Sequence, residues 1–159
     1  MSDPDRRNKA ILDEANRTTA WFRARKKSPI WAKQLAATQI VSTLEGELEV
    51  AVGSFLCRGE AGDVWPQSPG SIEERYDATD EVDSEGWRKY IPRTDAQGVM
   101  AIQILHPFEV YVESGKLTGK AGDYLVKRHQ DRDVAYPEDV WVVDQTLFRR
   151  TYEIIPVSQ

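Results

Sequence analysis

The chain repeats itself, and this limits its folding more than any other feature does. Sliding the 159-residue sequence against itself by 69 positions lays residues 30–58 over residues 99–127 without a gap. Identities fall at Ala32/Ala101, Gln34/Gln103, Val41/Val110, Gly46/Gly115, Leu48/Leu117, Gly53/Gly122 and Leu56/Leu125. Ile30/Val99, Leu35/Ile104, Phe55/Tyr124 and Arg58/Lys127 keep the chemistry. Further on the copies need insertions, which loops absorb at small entropic cost. The landmarks Trp65-Pro66 with Tyr136-Pro137, and Tyr76-Asp77 with Tyr152-Glu153, carry the match onward. A half of about 60 residues leaves too much surface wet to be stable alone. The expected fold class is therefore α+β, an N-terminal helix followed by two duplicated small β-rich units packed into one body. The expected boundaries are a helix at 1–24, a first repeat at 25–78, an acidic linker at 79–86 and a second repeat at 87–159.

Local patterns fill in this plan. Ser2-Asp3-Pro4-Asp5 offers a cap, a first-turn proline and acids for the helix dipole. Ile11, Leu12, Ala15, Thr19 and Phe22 recur at helical spacing, so a helix is expected from Pro4 to Phe22, as an appendage outside the repeat. Strands are expected at 30–35, 39–44, 47–51 and 54–58, and again at 99–105, 108–113 and 123–127, with a terminal strand at 152–155. Asp144 looks like a cap for a short helix through Arg150. The paired glycines Gly46/Gly53 and Gly115/Gly122 mark hairpin turns that need positive φ; no helix opens after them, which argues against a phosphate cradle.

Net charge is −5, but residues 72–86 hold seven acids against Arg75, a balance of −6 that leaves the rest at about +1. The low pI thus reports one stretch and does not exclude an anionic ligand elsewhere. That stretch, dense in acids and without apolar spacing, is expected to be a solvated surface linker. Without a spanning segment or a leader pattern, the expected setting is cytoplasmic, with no membrane association. Cys57 is the sole cysteine and has no partner for an internal disulfide.

Ala121-Gly122-Asp123-Tyr124-Leu125, followed by Tyr136-Pro137, Phe148 and Tyr152-Glu153, resembles the PGDYG-type family of small bacterial and phage proteins. The resemblance covers the second copy well and the first weakly. Ala121 stands where the family motif has proline, and the first copy reads Val52-Gly53-Ser54-Phe55-Leu56, without the aspartate. The resemblance implies a small β-rich fold and no particular chemistry.

Raw material for catalysis is thin: two histidines, one cysteine and no zinc-protease, paired-CxxC, Walker or nucleophile-elbow pattern. No catalytic residue, metal site or cofactor is expected, and His106, Cys57 and Asp123 read most simply as a turn residue, a core hydrophobe and a turn acceptor. Aromatics interleaved with cations suggest instead a site for stacking and anion recognition. The candidate ligand-binding residues are Arg58, Trp65, Tyr76, Tyr124, Lys127, Arg128, Tyr136, Arg149 and Tyr152. The function this favours is a non-catalytic binding protein, with a small anionic or nucleotide-like ligand in a groove between the repeats. One alternative is a phage-related protein–protein interaction or structural module. A further alternative is an enzyme on a nucleotide-like substrate, built from Asp123, Asp131, Asp133 and His129. Nucleic-acid binding is disfavoured, because the basic patch at Arg23, Arg25, Lys26 and Lys27 lacks a recognised fold motif.

Overall fold

The computed structural model describes residues 7–113 and 115–156. The cap expected at Ser2–Asp5 lies outside them. Helix α1 spans Lys9–Asn16 and ends before the expected Phe22, which already belongs to strand β1 (Phe22–Lys26); its expected start at Pro4 lies outside the described residues. It is not an appendage. Ile11, Leu12 and Ala15 enter the main core. Asn8, only 4% exposed, accepts from Tyr111 N at 2.8 Å and donates to Tyr111 O at 2.9 Å, which satisfies a strand edge.

From β1 the chain runs through β2 (Ile30–Gln34), β3 (Gln39–Thr43), β4 (Gly46–Val50), β5 (Phe55–Arg58), β6 (Val64–Gln67), α2 (Pro69–Arg75), β7 (Tyr76–Val82) and β8 (Arg88–Pro92). It continues with β9 (Val99–Gln103), β10 (Phe108–Val112), β11 (Gly115–Gly119), β12 (Tyr124–Arg128), a 3₁₀ turn at His129–Asp131, β13 (Val140–Val143), α3 (Gln145–Thr151) and β14 (Tyr152–Ile154). Two sheets have five strands, ordered β6-β5-β2-β8-β7 and β13-β12-β9-β1-β14; a third has four, ordered β10-β11-β4-β3. Each five-stranded sheet alternates its side chains between two faces. Ile30, Ala32 and Cys57 pack with Ile72 of α2, and Val99, Ala101 and Val126 pack with Phe148 of α3. The opposite faces, including Leu56 and Leu125, share one core with α1 and with Val41, Leu48, Val110 and Leu117 of the four-stranded sheet. That shared core fills the place where a groove between the halves was expected.

Two expectations are corrected here. The acidic stretch is no linker: Tyr76 to Val82 pairs antiparallel with β8, in register Asp77↔Ile91 and Val82↔Arg88. Its acids stay wet because β7 is an edge strand, so backbone pairing needs no apolar spacing. Asp83 closes the hairpin by accepting from Trp87 N at 3.0 Å and Arg58 at 3.3 Å. The expected match of Trp65 with Tyr136 is not repeated in the strand pairing. Trp65 lies opposite Cys57 and Trp141 opposite Val126, whereas Tyr136 falls in the loop that follows the 3₁₀ turn. Pro69 and Gly70 open α2, with proline in the first turn and Ser68 accepting from Ser71 N.

Bonds at matched positions agree. Gly53 N donates to Leu35 O at 3.0 Å and Gly122 N to Ile104 O at 2.7 Å; Gln34 Nε2 reaches Gly53 O at 2.9 Å and Gln103 Nε2 reaches Gly122 O at 3.0 Å. Gly46 and Gly115 both have φ 149°, and a Cβ on Gly46 would sit 2.7 Å from Lys116 O. Only glycine permits β4 and β11 to approach this closely.

Candidate functional site

The nine residues expected at a site do not converge. Tyr124 and Tyr152 sandwich the Phe148 ring at 4.1 and 4.7 Å, with Phe22 edge-on at 5.8 Å. Arg58 lies 4.7 Å over Trp87 and Lys127 lies 4.6 Å over Trp21, the tryptophans that precede β8 and β1. Alternation explains this. Residues two apart share a face, so Arg58 and Lys127 point with Leu56 and Leu125 toward the shared core. Lys127 is 3% exposed and donates to Arg132 O and Val134 O. Arg128 is held by Asp131 at 2.8 Å and Asp139 at 3.4 Å, and the Tyr136 hydroxyl donates to Asp13. Arg149 projects from the outer surface of α3. Only Trp65, Tyr76 and Tyr152 are brought near one another, around Lys26, whose ammonium lies 4.4 Å from the Trp65 ring and 5.1 Å from the Tyr152 ring.

The Ala121–Leu125 run has a structural task. Gly122 has φ 99°, and a Cβ there would press on the Gln145 amide at 2.7 Å. Asp123, fully buried, accepts from Lys120 N at 2.8 Å and from Gln145 N, the first residue of α3, at 3.0 Å. Tyr124 then stacks on Phe148 from the same helix. The three residues together staple a turn to α3, and Asp123, His129, Asp131 and Asp133 form no common cleft: Asp131 pairs with Arg128 and Asp133 with Arg132.

A recess of about 390 Å³ opens beside α2 instead. Its walls are Phe55, Ile72, Tyr76 and Tyr90, with Arg93 at one side and the exposed Glu73 and Asp77 at the rim. Phe55 and Tyr90 meet edge to face at 6.3 Å. At the corresponding place beside α3 the space is closed by the Tyr124–Phe148–Tyr152 stack. Ile72 occupies the helix position that Phe148 has in α3, four residues before the first strand tyrosine, and its smaller side chain leaves room. Ile72, Tyr90 and Arg93 were missed from sequence, and Phe55 was read there mainly as core. The Ile72/Phe148 contrast is the signal, and it is readable only after Trp65 has been aligned with Trp141.

No family model, curated protein or solved structure matches the chain. Among the described residues no helix is long and apolar enough to cross a membrane, and no three His, Cys, Asp or Glu side chains cluster as metal ligands.

Glu45 gives the fold a pH dependence. At the tip between β3 and β4, burial pushes its carboxyl up to about 7, the charges of Asp144 and Asp123 add to this, and backbone N–H groups oppose it. Between the ordinary 4.5 and about 7 the folded state keeps a proton that the unfolded chain has lost. Stability therefore falls as pH rises through that window. Urea midpoints at about pH 5 and about pH 8 should differ in this direction, and Glu45→Gln should flatten the difference. An unchanged pH dependence in the variant would exclude Glu45 as its source.

Proposed function

We propose that the chain is a non-catalytic binding protein of two duplicated β-rich units, and that it takes a small anionic, nucleotide-like ligand in the recess beside α2. The observation that carries this is a 390 Å³ space walled by Phe55, Tyr76 and Tyr90 and flanked by Arg93. That volume suits a small ligand; rings accept a flat heterocycle by stacking, and a guanidinium accepts an anion. Glu73 and Asp77 at the rim are acceptors for exocyclic amino groups. The duplication is supported by the matched sheet orders, by hydrogen bonds that recur 69 residues on, and by Ser68 and Asp144 as N-caps of α2 and α3. We also propose kinship with PGDYG-type proteins on the same Ala121–Leu125 run.

Calorimetry of the full chain against a panel of nucleoside 5′-monophosphates tests the reading. At least one should bind, and Tyr90→Ala should weaken it about tenfold or more, the scale of one lost stacking partner. No heat from any member, or equal affinity in the variant, would sink it.

A second reading is a protein-interaction module. It draws on Ile40 and Leu44, 70% and 61% exposed, at and just beyond the edge strand β3, where a partner strand would add. A stable oligomer in light scattering that is lost in Ile40→Lys would favour it.

A further inference from the structure

A second, smaller gap adjoins the recess. It measures about 20 Å³ and lies where β1 and β14 of one sheet meet α2 and β7 of the other, walled by Arg25, Lys26, Arg75, Arg93, Tyr76 and Tyr152. Four cations thus surround a space with room for about one water-sized group. Two of them are already neutralised. Arg25 pairs with Glu153 at 2.6 Å and reaches Thr94 O at 3.1 Å; Arg93 pairs with Asp95 at 2.9 Å and reaches Glu73 O at 3.2 Å.

The other two have no carboxylate within ion-pair distance among the described residues. Lys26 rests on the Trp65 and Tyr152 rings, and Arg75 lies 5.2 Å over the ring of Trp141. A ring face attracts a cation only weakly, which does not replace the water it has lost. Asp63 and Glu60 attract Lys26 from a distance without bonding it, and burial pushes its ammonium below the ordinary value. The Tyr76 hydroxyl adds an independent sign. Tyr76 is 6% exposed, lines both the gap and the recess, and makes no side-chain hydrogen bond among the described residues. Burial pushes its phenol well up, so it stays a donor at neutral pH. As a donor with no protein acceptor among the described residues, it lines the same gap as the two unneutralised cations.

We infer that this gap is an oxyanion site for the phosphate of a phosphomonoester whose flat part occupies the recess. The inference rests on the recess being a ligand site. One phosphate oxygen enters between Lys26, Arg75 and the Tyr76 hydroxyl, and the remaining oxygens stay at the mouth near Arg93, which borders both spaces. The charge of a phosphomonoester, about −1.5 to −2 at neutral pH, matches the two free cations.

The test compares three probes on the full chain by calorimetry: inorganic phosphate, a nucleoside, and the corresponding nucleoside 5′-monophosphate. The monophosphate should bind about tenfold or more tightly than the nucleoside, the scale of a charge-assisted hydrogen bond. Lys26→Met and Tyr76→Phe should each erase most of that ratio. Thermal melts confirm that the variants are folded, and both keep the apolar volume of the native side chain. A monophosphate that binds no better than the nucleoside, or a ratio untouched in both variants, overturns the site. Inorganic phosphate that binds and is lost in Lys26→Met supports the gap even where the nucleoside does not bind, an outcome that overturns only the recess.

Discussion

Asp123→Ala is expected to lower the unfolding free energy by about 3 kcal/mol, several times the effect of an ordinary surface change. The carboxylate is fully buried and holds Lys120 N at 2.8 Å, Gln145 N at 3.0 Å and the Lys120 ammonium at 3.4 Å. Removing it leaves two backbone donors unanswered at the point where α3 begins. Asp144 cannot take over, since its Oδ1 already accepts from Thr146 N and Leu147 N. Asp123→Asn keeps one acceptor but turns an amide N–H toward a donor, so about half the loss is expected. Urea denaturation measures both. A change below about 0.5 kcal/mol in the alanine variant would show that the carboxylate does not bind the turn to the helix.

Phe148→Ala is expected to cost about 4 kcal/mol, within the range for truncating a buried phenylalanine. The side chain is 4% exposed, lies between Tyr124 and Tyr152, and meets Phe22 edge-on. Phe148→Ile should cost less, because isoleucine keeps much of the apolar volume, and it should open a space beside α3 like the one beside Ile72. A loss of less than about 1 kcal/mol for Phe148→Ala would contradict the packing described for α3.

The parts of the fold that were legible in sequence are those where one face is apolar and the other wet. Leu48 and Val110 alternate with more polar neighbours, and the strands of Val41, Leu48 and Val110 lie within a residue or two of expectation, whereas the strand of Leu117 (Gly115–Gly119) was not expected. Strands whose burial is incomplete were not legible. β1 reads Phe-Arg-Ala-Arg-Lys, yet Ala24 is fully buried, while Arg23 and Arg25 beside it sit at half-buried positions with their guanidiniums bonded at the surface. β7 carries three acids on a sheet edge, where backbone bonds and not side chains hold it. For the candidate site, residue type alone does not give place. Trp65, Tyr76 and Tyr152 lie at the junction of the two five-stranded sheets, whereas Arg58 and Lys127 are turned away by strand alternation. Which aromatics border open space depends on the smaller Ile72 in α2 against Phe148 in α3, a volume difference that no motif records.

The location of the ligand is the central claim, and amide chemical-shift mapping tests it most directly. Titrating isotope-labelled full chain with a nucleoside 5′-monophosphate should move the resonances of Ile72, Tyr76, Tyr90 and Arg93 while leaving Phe148 and Lys127 in place. Shifts that gather around Arg58, Lys127 and Arg128, or none at saturating ligand, would contradict it.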